Sequence, residues 1–316
     1  MEATQTSTPT TTAPAGVAQV AFVKTSDRAS GVRRAIDLLG INPVSGKSVF
    51  LKPNFNSADP PPSSTHPDVL RSLILKLDEM GAGSITIGDR SGMGNTRQVM
   101  HTLGIFDLAE ELGVGTVVFD ELGAEDWVKI QPPDCHWKGG FYFAKPCLEA
   151  EALVSTCCLK THKFGGHFTM SLKNSVGMVA KKVPGDRHDY MHELHLSRHQ
   201  RRKIAEINSA YNPVLVVLDG VEAFVSDGPA RGKLVTPEVV IAGTDRIAID
   251  AIGVALLRRY GTTRQVSKGP VFGQEQIARA MELGLGIDDP QKIDFLTPDD
   301  ESDEFAKEIK SILFAA

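Results

Sequence analysis

The segment with the most chemically active side chains lies near the middle of the chain, where lysines and histidines surround two glycines. It reads LKTHKFGGHFTMSLKN and contains Lys160, His162 and Lys173 around Gly165 and Gly166. Glycines let backbone N–H groups approach an anion closely, and lysines supply positive charge for a phosphate or a carboxylate. The segment therefore predicts a pocket for a small anionic ligand. The alternative interpretation is a surface loop with solvated lysines.

Two histidines and one lysine of this segment are the predicted catalytic residues. Imidazole gains and loses a proton near neutral pH, so His162 and His167 are suited to proton transfer. Lys173 lies in the amphipathic stretch that starts at Phe168. Its charge is predicted to hold the substrate while the histidines move protons.

Polar residues also follow four apolar runs, at positions where strands of a parallel sheet would end. Ligands of open α/β sheets gather beyond the carboxyl ends of the strands, so these residues are predicted to share one site. The alternative is that individual Asp and Asn residues form turns and helix caps, and Asp245 is interpreted as such a cap. The predicted ligand-binding and cofactor-binding residues are Lys52, Asn54, Asp89, Ser91, Lys160, Gly165, Gly166, Asn174, Asp219 and Asp227.

Four histidines in the segment GDRHDYMHELHLSRH form a second unusual pattern. His188, His192, His195 and His199 are spaced four, three and four residues apart, which on a helix would place all four along one face. Neutral imidazoles arranged in this way bind zinc or other transition metals. The segment predicts a metal site, although the alternative is a solvated or subunit-contact surface, and the HExxH motif is absent.

Apolar periodicity predicts the elements that position these residues. Strands and helices alternate, which is typical of an α/β protein with a mostly parallel sheet and helices on both faces. We expect one domain over 17–316, with a possible division into lobes 17–150 and 151–316, and an irregular excursion over 121–149. The predicted strands are 17–24, 48–52, 84–88, 116–120, 152–156, 214–218 and 239–242, and the predicted helices are 30–39, 67–80, 97–112 with an interruption at Gly104, 247–259, 274–282 and 302–313.

Composition and charge exclude several classes of protein. The net charge of -5 argues against a general nucleic-acid binder, because binding to the phosphate backbone draws on a basic surplus. No apolar run reaches the ~18 residues that a membrane-spanning helix needs, so we expect no membrane span. Residues 1–16 lack the features of an export signal and predict a flexible tail, which makes the cytoplasm the expected location. The sequence leaves the oligomeric state open.

The four cysteines limit the cofactors that the chain binds by itself. They are Cys135, Cys147, Cys157 and Cys158, and no pair has the CxxC spacing of a zinc ribbon or a ferredoxin-type cluster. No iron–sulfur ligand motif is therefore present. Apolar neighbours favour Cys157 and Cys158 as core residues rather than as nucleophiles.

Several blocks of the sequence resemble a known family. VFLKPNFN, ITIGDRSG, LKTHKFGGHFTMSLKN, VLDGVEAFVSDGP and IAGTDRIAID look like successive motifs of the domain-of-unknown-function family 362, over about residues 24–286. The resemblance implies an α/β domain whose members often occur with iron–sulfur ferredoxin modules or export signals. Because the cluster cysteines are missing here, a redox role would require a partner protein.

A second resemblance is confined to four residues. His162, Gly165, Gly166 and Lys173 are similar to the glycine-lysine-histidine region of the lactate racemase family, which uses a nickel-pincer nucleotide tethered to a lysine. This likeness implies that Lys173 is a tether or a phosphate contact. It also implies that His162 or His167 is the proton or hydride partner, with a divalent or transition metal as cofactor.

Two hypotheses follow from these patterns. The first is a metal-assisted oxidoreductase or isomerase that binds a small anionic ligand, and the second is a non-catalytic protein that carries a metal or a cofactor. Both require Lys52, His162 and Lys173 to meet at one edge of the folded sheet.

Overall fold

The computed structural model describes residues 16–315. The predicted N-terminal tail, 1–16, lies outside the described residues except for Gly16. The strands are β1 Ala18–Lys24, β2 Ser48–Lys52, β3 Ser84–Asp89, β4 Gly115–Val118, β5 Trp127–Ile130, β6 Phe141–Ala144, β7 Ala152–His162, β8 His167–Thr169, β9 Leu215–Phe224, β10 Leu234–Val235, β11 Val239–Gly243 and β12 Ile293–Leu296. The α-helices are α1 Arg28–Leu39, α2 Pro67–Glu79, α3 Thr96–Thr102, α4 Ile105–Leu112, α5 Lys145–Glu149, α6 Ser171–Asn174, α7 Tyr190–Leu196, α8 Gln200–Ile207, α9 Arg246–Arg259, α10 Arg264–Ser267, α11 Glu275–Glu282 and α12 Asp300–Leu313.

A mostly parallel sheet forms the centre of the fold. Its strand order is β12-β1-β11-β9-β7-β2-β3-β4, with β8 and β10 paired to β7 and β9. The pairs from β9 through β7, β2 and β3 to β4 are all parallel, as is β1 with β12. Strand β11 is antiparallel to both of its neighbours. The predicted α/β class with a mostly parallel sheet is confirmed.

Helices cover both faces of the sheet, because its central strands are apolar on both sides. Alternate residues of β1 enter different cores: Phe22 packs on the face of α9, α11 and α12, and Val23 packs on the face of α1 and α2. Every residue of β7 is buried. A strand without a solvated face must have cover on both sides, as parallel sheets generally do.

The excursion over 121–149 is more regular than the sequence predicts. It contains the antiparallel hairpin of β5 and β6 and the short helix α5, and the prediction of irregular structure was wrong for these parts. Trp127, Phe141 and Phe143 join Phe50 and Phe119 in a third apolar core. Strands of four residues are too short to show a clear alternation, and for this reason the pattern did not predict them.

Strand β7 continues past its predicted end at residue 156 as far as His162. A register shift between Cys158 and Lys160 interrupts its pairing with β9, and β8 then pairs with Lys160, Thr161 and His162. Lys160 and His162 therefore lie within a strand rather than in the loop that follows it. Cys157 and Cys158 are each 1% exposed, which confirms them as core residues.

One sheet includes strands from both sides of residue 150, and the proposed division into lobes stays a prediction. Across residues 16–315, no helix has the length and apolar character needed to cross a bilayer.

Candidate functional site

A cavity of about 440 Å³ opens at the carboxyl ends of β2, β3 and β7. The loops after β2 and β3 form one wall, α6 and the turn that follows it form another, and α7 forms the rim. We call it the Lys173 cavity. It brings together Lys52, Asn54, Asp89, His162, Lys173 and Asn174 from the predicted site. Residues distant in the sequence meet here because parallel strands end at the same edge of the sheet.

Lys52 and Asp89 form a buried ion pair at the base of the cavity. The Lys52 Nζ lies 2.8 Å from Asp89 Oδ1, and the two side chains are 1% and 3% exposed. The Lys52 ammonium also donates to Asn174 Oδ1 at 3.2 Å. The carboxylate accepts from the backbone N–H groups of Phe55 and Arg90, both at 2.7 Å. The charges of Lys52 and Asp89 cancel, and the ion pair holds the ends of β2 and β3 together.

Lys160 lies behind the cavity wall without a carboxylate partner. Its ammonium donates to Asn54 Oδ1 at 2.8 Å, to the Pro62 carbonyl at 3.0 Å and to the Ser63 carbonyl. The side chain is fully buried, and this burial lowers the pKa of Lys160. Neutral oxygens satisfy its hydrogen bonds but leave its positive charge uncompensated.

Arg90 is a second buried cation, and it lines the cavity itself. Arg90 was not among the predicted site residues, although it follows Asp89 directly in the motif GDRSG. Its guanidinium donates to the carbonyls of Val179 at 2.9 Å, Ser91 at 3.2 Å and Val176. Burial lowers the pKa of Arg90. Like Lys160, it adds positive potential to the cavity.

Lys173 is the lysine of this site whose nitrogen is free. Its side chain is partly buried, and no hydrogen-bond acceptor for its ammonium occurs among residues 16–315. Burial, together with the positive charges of Lys160 and Arg90, lowers the pKa of Lys173 to about 7. At neutral pH a large fraction of the amine is therefore uncharged and has a free electron pair.

The short helix α6 carries Lys173, and a distant carboxylate fixes its start. Asp250, on α9, accepts hydrogen bonds from Ser171 N at 2.7 Å and Leu172 N at 3.1 Å. These are N–H groups that have no acceptor within the helix. Burial raises the pKa of Asp250 to about 7. Asp250 lies 79 residues beyond Ser171 in the sequence; a carboxylate at this position suggested a cation ligand or a partner for the lysines, and the structure shows it as the anchor of α6.

His162 lies beside Lys173, and Gly166 lies between them. His162 Nδ1 accepts from Gly166 N at 3.3 Å, which assigns the ring proton to Nε2. A Cβ atom on Gly166 would lie 2.8 Å from His162 Nδ1 and 3.0 Å from Lys173 Cε. Burial and the charge of Lys173 hold the pKa of His162 well below its usual value. The ring is therefore neutral at physiological pH.

The four histidines of the predicted metal site do not share one helix face, and their role as metal ligands stays a prediction. Helix α7 covers only Tyr190–Leu196, so His192 and His195 lie on it and at the cavity rim. His188 precedes the helix and contacts Glu193 at 2.7 Å. His199 follows it and packs with its ring centroid 4.4 Å from that of His136. Between residues 16 and 315, no group of three or more His, Cys, Asp or Glu side chains is placed to hold a metal ion.

The position of His195 on α7 determines which of its two ring nitrogens is free. Its Nδ1 donates to the Met191 carbonyl at 2.7 Å, which leaves Nε2 as an acceptor in the neutral ring. His195 is exposed at the rim, but desolvation by the cavity wall lowers the pKa of its ring; the hydrogen bond to Met191 opposes this shift, and the charges of Lys173 and Arg90 add to it. A neutral imidazole with a free nitrogen is suited to accept a proton.

Two buried polar atoms at the cavity have no partner. They are Asn56 Nδ2 and Thr169 Oγ1, and both residues line the cavity. Thr169 is 4% exposed. Buried polar atoms are nearly always hydrogen-bonded in folded proteins, so these two are donors available to a ligand.

The remaining predicted residues lie elsewhere. Asp219 pairs with Arg28 at 3.0 Å, and Ser91 is buried with its N–H donated to Thr96. His167, Asp227 and Gly165 line a separate cavity of about 230 Å³, which shares only the His162 wall with the first. His167 lies directly across from His162 in the β7–β8 register. The residues predicted to form a single site are therefore divided between two cavities.

The fold and the cavity define an α/β protein with a basic pocket at the carboxyl edge of a mostly parallel sheet. The family model described as "Domain of unknown function (DUF362)" matches residues 49–255, and the chain belongs to this family. The match runs from β2 to α9 and includes every cavity residue discussed above.

Comparison with known proteins finds distant relatives. A thylakoid-associated protein of Synechocystis sp. is 25% identical over 229 residues, which cover 67% of this chain and 64% of the relative. This chain therefore matches less than two thirds of that protein's length.

Two solved structures are similar in fold. The lactate racemase apoprotein from Thermoanaerobacterium thermosaccharolyticum has 18% identity and a TM-score of 0.45, covering 73% of this chain and 54% of the other. A protein from Thermotoga maritima has 9% identity and a TM-score of 0.41, covering 73% and 56%. Scores at this level transfer neither an activity nor a ligand.

Proposed function

We propose that the chain is an enzyme that binds a small carboxylate- or phosphate-bearing substrate in the Lys173 cavity and moves a proton on it, in an isomerisation reaction. One observation carries this proposal. Among residues 16–315, the Lys173 amine has no hydrogen-bond acceptor, and it lines a cavity flanked by two buried cations, Lys160 and Arg90, that form no ion pair with a carboxylate.

The charge balance favours an anion as the ligand. Lys52 and Asp89 cancel each other, whereas Lys160 and Arg90 bond only to neutral acceptors, Met191 Sδ included for Arg90. Buried charges in proteins are usually paired or bind a counter-ion. Asn56 Nδ2 adds a free donor on one wall of the cavity. An anion here would be attracted by charge and positioned by donors.

The proton chemistry rests on two groups of the same cavity. A catalytic acid or base works best when its pKa lies near the working pH, and the pKa of Lys173 is about 7. The hydrogen bond from His195 Nδ1 to Met191 leaves Nε2 free to accept a proton. We assign His195 as the base and Lys173 as the group that holds the substrate and exchanges a proton with it.

A resident metal ion does not fit the donor set. His192 and His195 are the imidazoles at the rim. The third imidazole of the cavity, His162, already accepts from Gly166 N through Nδ1, and the nearest carboxylates are also engaged. Asp189 caps α7 by accepting from His192 N at 2.8 Å, and Asp89 is paired with Lys52. Two ligands fall short of the three or four that protein metal sites normally supply. No step of the proposed reaction therefore involves a metal.

Hydrogen exchange into the substrate tests this function. The purified protein is incubated in D₂O with a panel of small 2-hydroxy, 2-oxo and 2-amino acids and phosphate esters, and loss of the C–H signal is followed by proton NMR. We expect exchange on at least one member, and a fall on the order of a hundredfold in Lys173→Met, since a positioned acid or base contributes about that much.

Lys163→Met is the matched control, because Lys163 is an exposed lysine of the same segment and does not line the Lys173 cavity. It should exchange as fast as the wild type. Equal loss in both variants would contradict the assignment. Anion binding without exchange on any panel member would support the rival hypothesis of a non-catalytic carrier.

A further inference from the structure

The lysines of the cavity are not equivalent, and the difference has a chemical consequence. Lys52 is committed to Asp89, Lys160 to three neutral oxygens and Lys181 to Asp120 at 3.2 Å. Within the described part of the chain, Lys173 is the cavity lysine whose nitrogen bonds to nothing. A free amine in a partly desolvated pocket is a nucleophile as well as a charge.

The surroundings of this amine are suited to a second functional group on the same ligand. Thr169 Oγ1 and Asn56 Nδ2 are buried donors without partners, and Arg90 adds positive charge beside them. The cavity therefore presents an amine next to a place for negative charge. A carbonyl carbon adjacent to a carboxylate complements both features.

The helix geometry keeps the amine in place. Asp250 anchors the start of α6, and Gly166 allows Lys173 Cε and the His162 ring to approach closely. A nucleophile held in one position gains much of the advantage of an intramolecular reaction.

We propose that Lys173 forms a covalent imine with small 2-oxo acids, so that carbonyl compounds bearing an adjacent carboxylate are the substrate class of this site. This inference rests on the proposed function and deepens it. The Lys173 nitrogen attacks the carbonyl carbon, the C=O bond becomes a C–O single bond, and a proton passes from the nitrogen to that oxygen to give a carbinolamine. The hydroxyl then leaves as water after protonation, and the nitrogen completes the C=N bond. No oxidant or reductant takes part.

The imine explains how a proton is moved on the substrate. A protonated C=N group withdraws electrons from the neighbouring carbon and makes its C–H bond more acidic. His195 Nε2 is the free nitrogen that accepts this proton. Return of a proton to the carbon and hydrolysis of the imine then release the product and regenerate the amine.

Reductive trapping tests the inference on the full chain. Sodium borohydride is added to the protein with pyruvate, glyoxylate or 2-oxoglutarate, and intact mass and peptide mapping locate any adduct. We expect one adduct per chain, on Lys173, and slower labelling in the presence of sulfate as a competing anion. Acetone, which lacks the carboxylate, should label at least tenfold more slowly.

Lys173→Arg and Lys163→Arg are the matched variants, because arginine keeps the charge but is not a nucleophile under these conditions. Lys173→Arg should still bind sulfate, measured by calorimetry, and should form no adduct, whereas Lys163→Arg should be labelled like the wild type. An adduct that persists in Lys173→Arg or spreads over several lysines would overturn the imine.

The two proposals fail in different ways. Intact sulfate binding and hydrogen exchange without any adduct would overturn the imine and leave the proposed function standing. If the wild-type protein shows no sulfate binding, no hydrogen exchange and no adduct, both proposals are overturned.

Discussion

At the scale of single residues, the chemistry of this site depends on how closely Lys173 and His162 approach each other. Both side chains lie against the Cα of Gly166, in the space that any larger residue would fill. Burial and the positive charge of Lys160 and Arg90 keep the pKa of the amine near 7. The reactivity of one nitrogen thus derives from several residues that do not themselves react.

Gly166→Ala is predicted to move Lys173 rather than to unfold the protein. The new Cβ would contact His162 Nδ1 at 2.8 Å and Lys173 Cε at 3.0 Å, and the flexible lysine is the easier of the two to displace. A displaced nucleophile should slow borohydride trapping on the order of tenfold. Gly115→Ala is the control, because the new atom would meet the Thr86 side chain at 3.1 Å and the Ile85 carbonyl of the neighbouring strand at 3.7 Å. Unchanged trapping in Gly166→Ala would contradict this role.

Residue types and spacing predicted part of the site. Lys52, His162 and Lys173 were expected to meet, and the structure places them around one cavity. Arg90 was missed because an arginine after a strand is equally typical of a solvated surface, and its burial depends on carbonyls about ninety residues later. His195 was assigned to a metal because its spacing alone does not reveal where the helix ends.

At the scale of elements, α6 is the part of the fold that positions the amine. It has only four residues, and a helix of this length has little stability of its own. Asp250 supplies two of its missing hydrogen bonds from α9. The buried carboxylate of Asp250 therefore helps to fix the position of Lys173.

Asp250→Asn is predicted to destabilise the protein by about 1–3 kcal/mol, since an amide has one oxygen where Asp250 has two and leaves one of the two backbone N–H groups of α6 without an acceptor. The wild-type pKa of about 7 lies above its unfolded value of about 4. The folded protein therefore binds more protons in this window, and the contribution of Asp250 to stability falls as pH rises from about 4 to 7.

Urea unfolding of both proteins between pH 5 and pH 8 measures this effect. The difference in unfolding free energy between wild type and Asp250→Asn should shrink as pH rises through about 7, because the buried charge of the wild type then costs the most. A difference that grows with pH would contradict the assigned direction of the pKa shift.

The elements themselves were predictable to the extent that their patterns were long. Helices α1, α2, α9 and α12 occur close to their predicted bounds, because each has a full apolar face and several turns. The ends of β7 and β9 were not predictable, since pairing with β8 and β10 extends them into polar sequence. The antiparallel direction of β11 could not be predicted either, because strand direction depends on the path of the chain between elements.

At the scale of the whole molecule, the sheet collects the ends of distant strands at one edge and leaves the cavity there. Apolar cores on opposite faces hold β2, β7 and β9 in register, so Lys52 and His162 stand on strands, while the short helices α6 and α7 form a wall and the rim of the cavity. A cavity in such a place is where α/β proteins generally bind ligands. The expected cytoplasmic location and a redox partner protein stay predictions.

Sulfate binding as a function of pH tests the central claim most directly, because sulfate keeps its charge while the Lys173 amine titrates. Calorimetry should show affinity falling about tenfold between pH 6 and pH 8, since the protonated fraction of a group with a pKa of about 7 falls by that factor. Lys173→Met should bind sulfate more weakly at pH 6 and show a flatter pH dependence. Wild-type affinity and an unchanged pH slope in Lys173→Met would contradict the account.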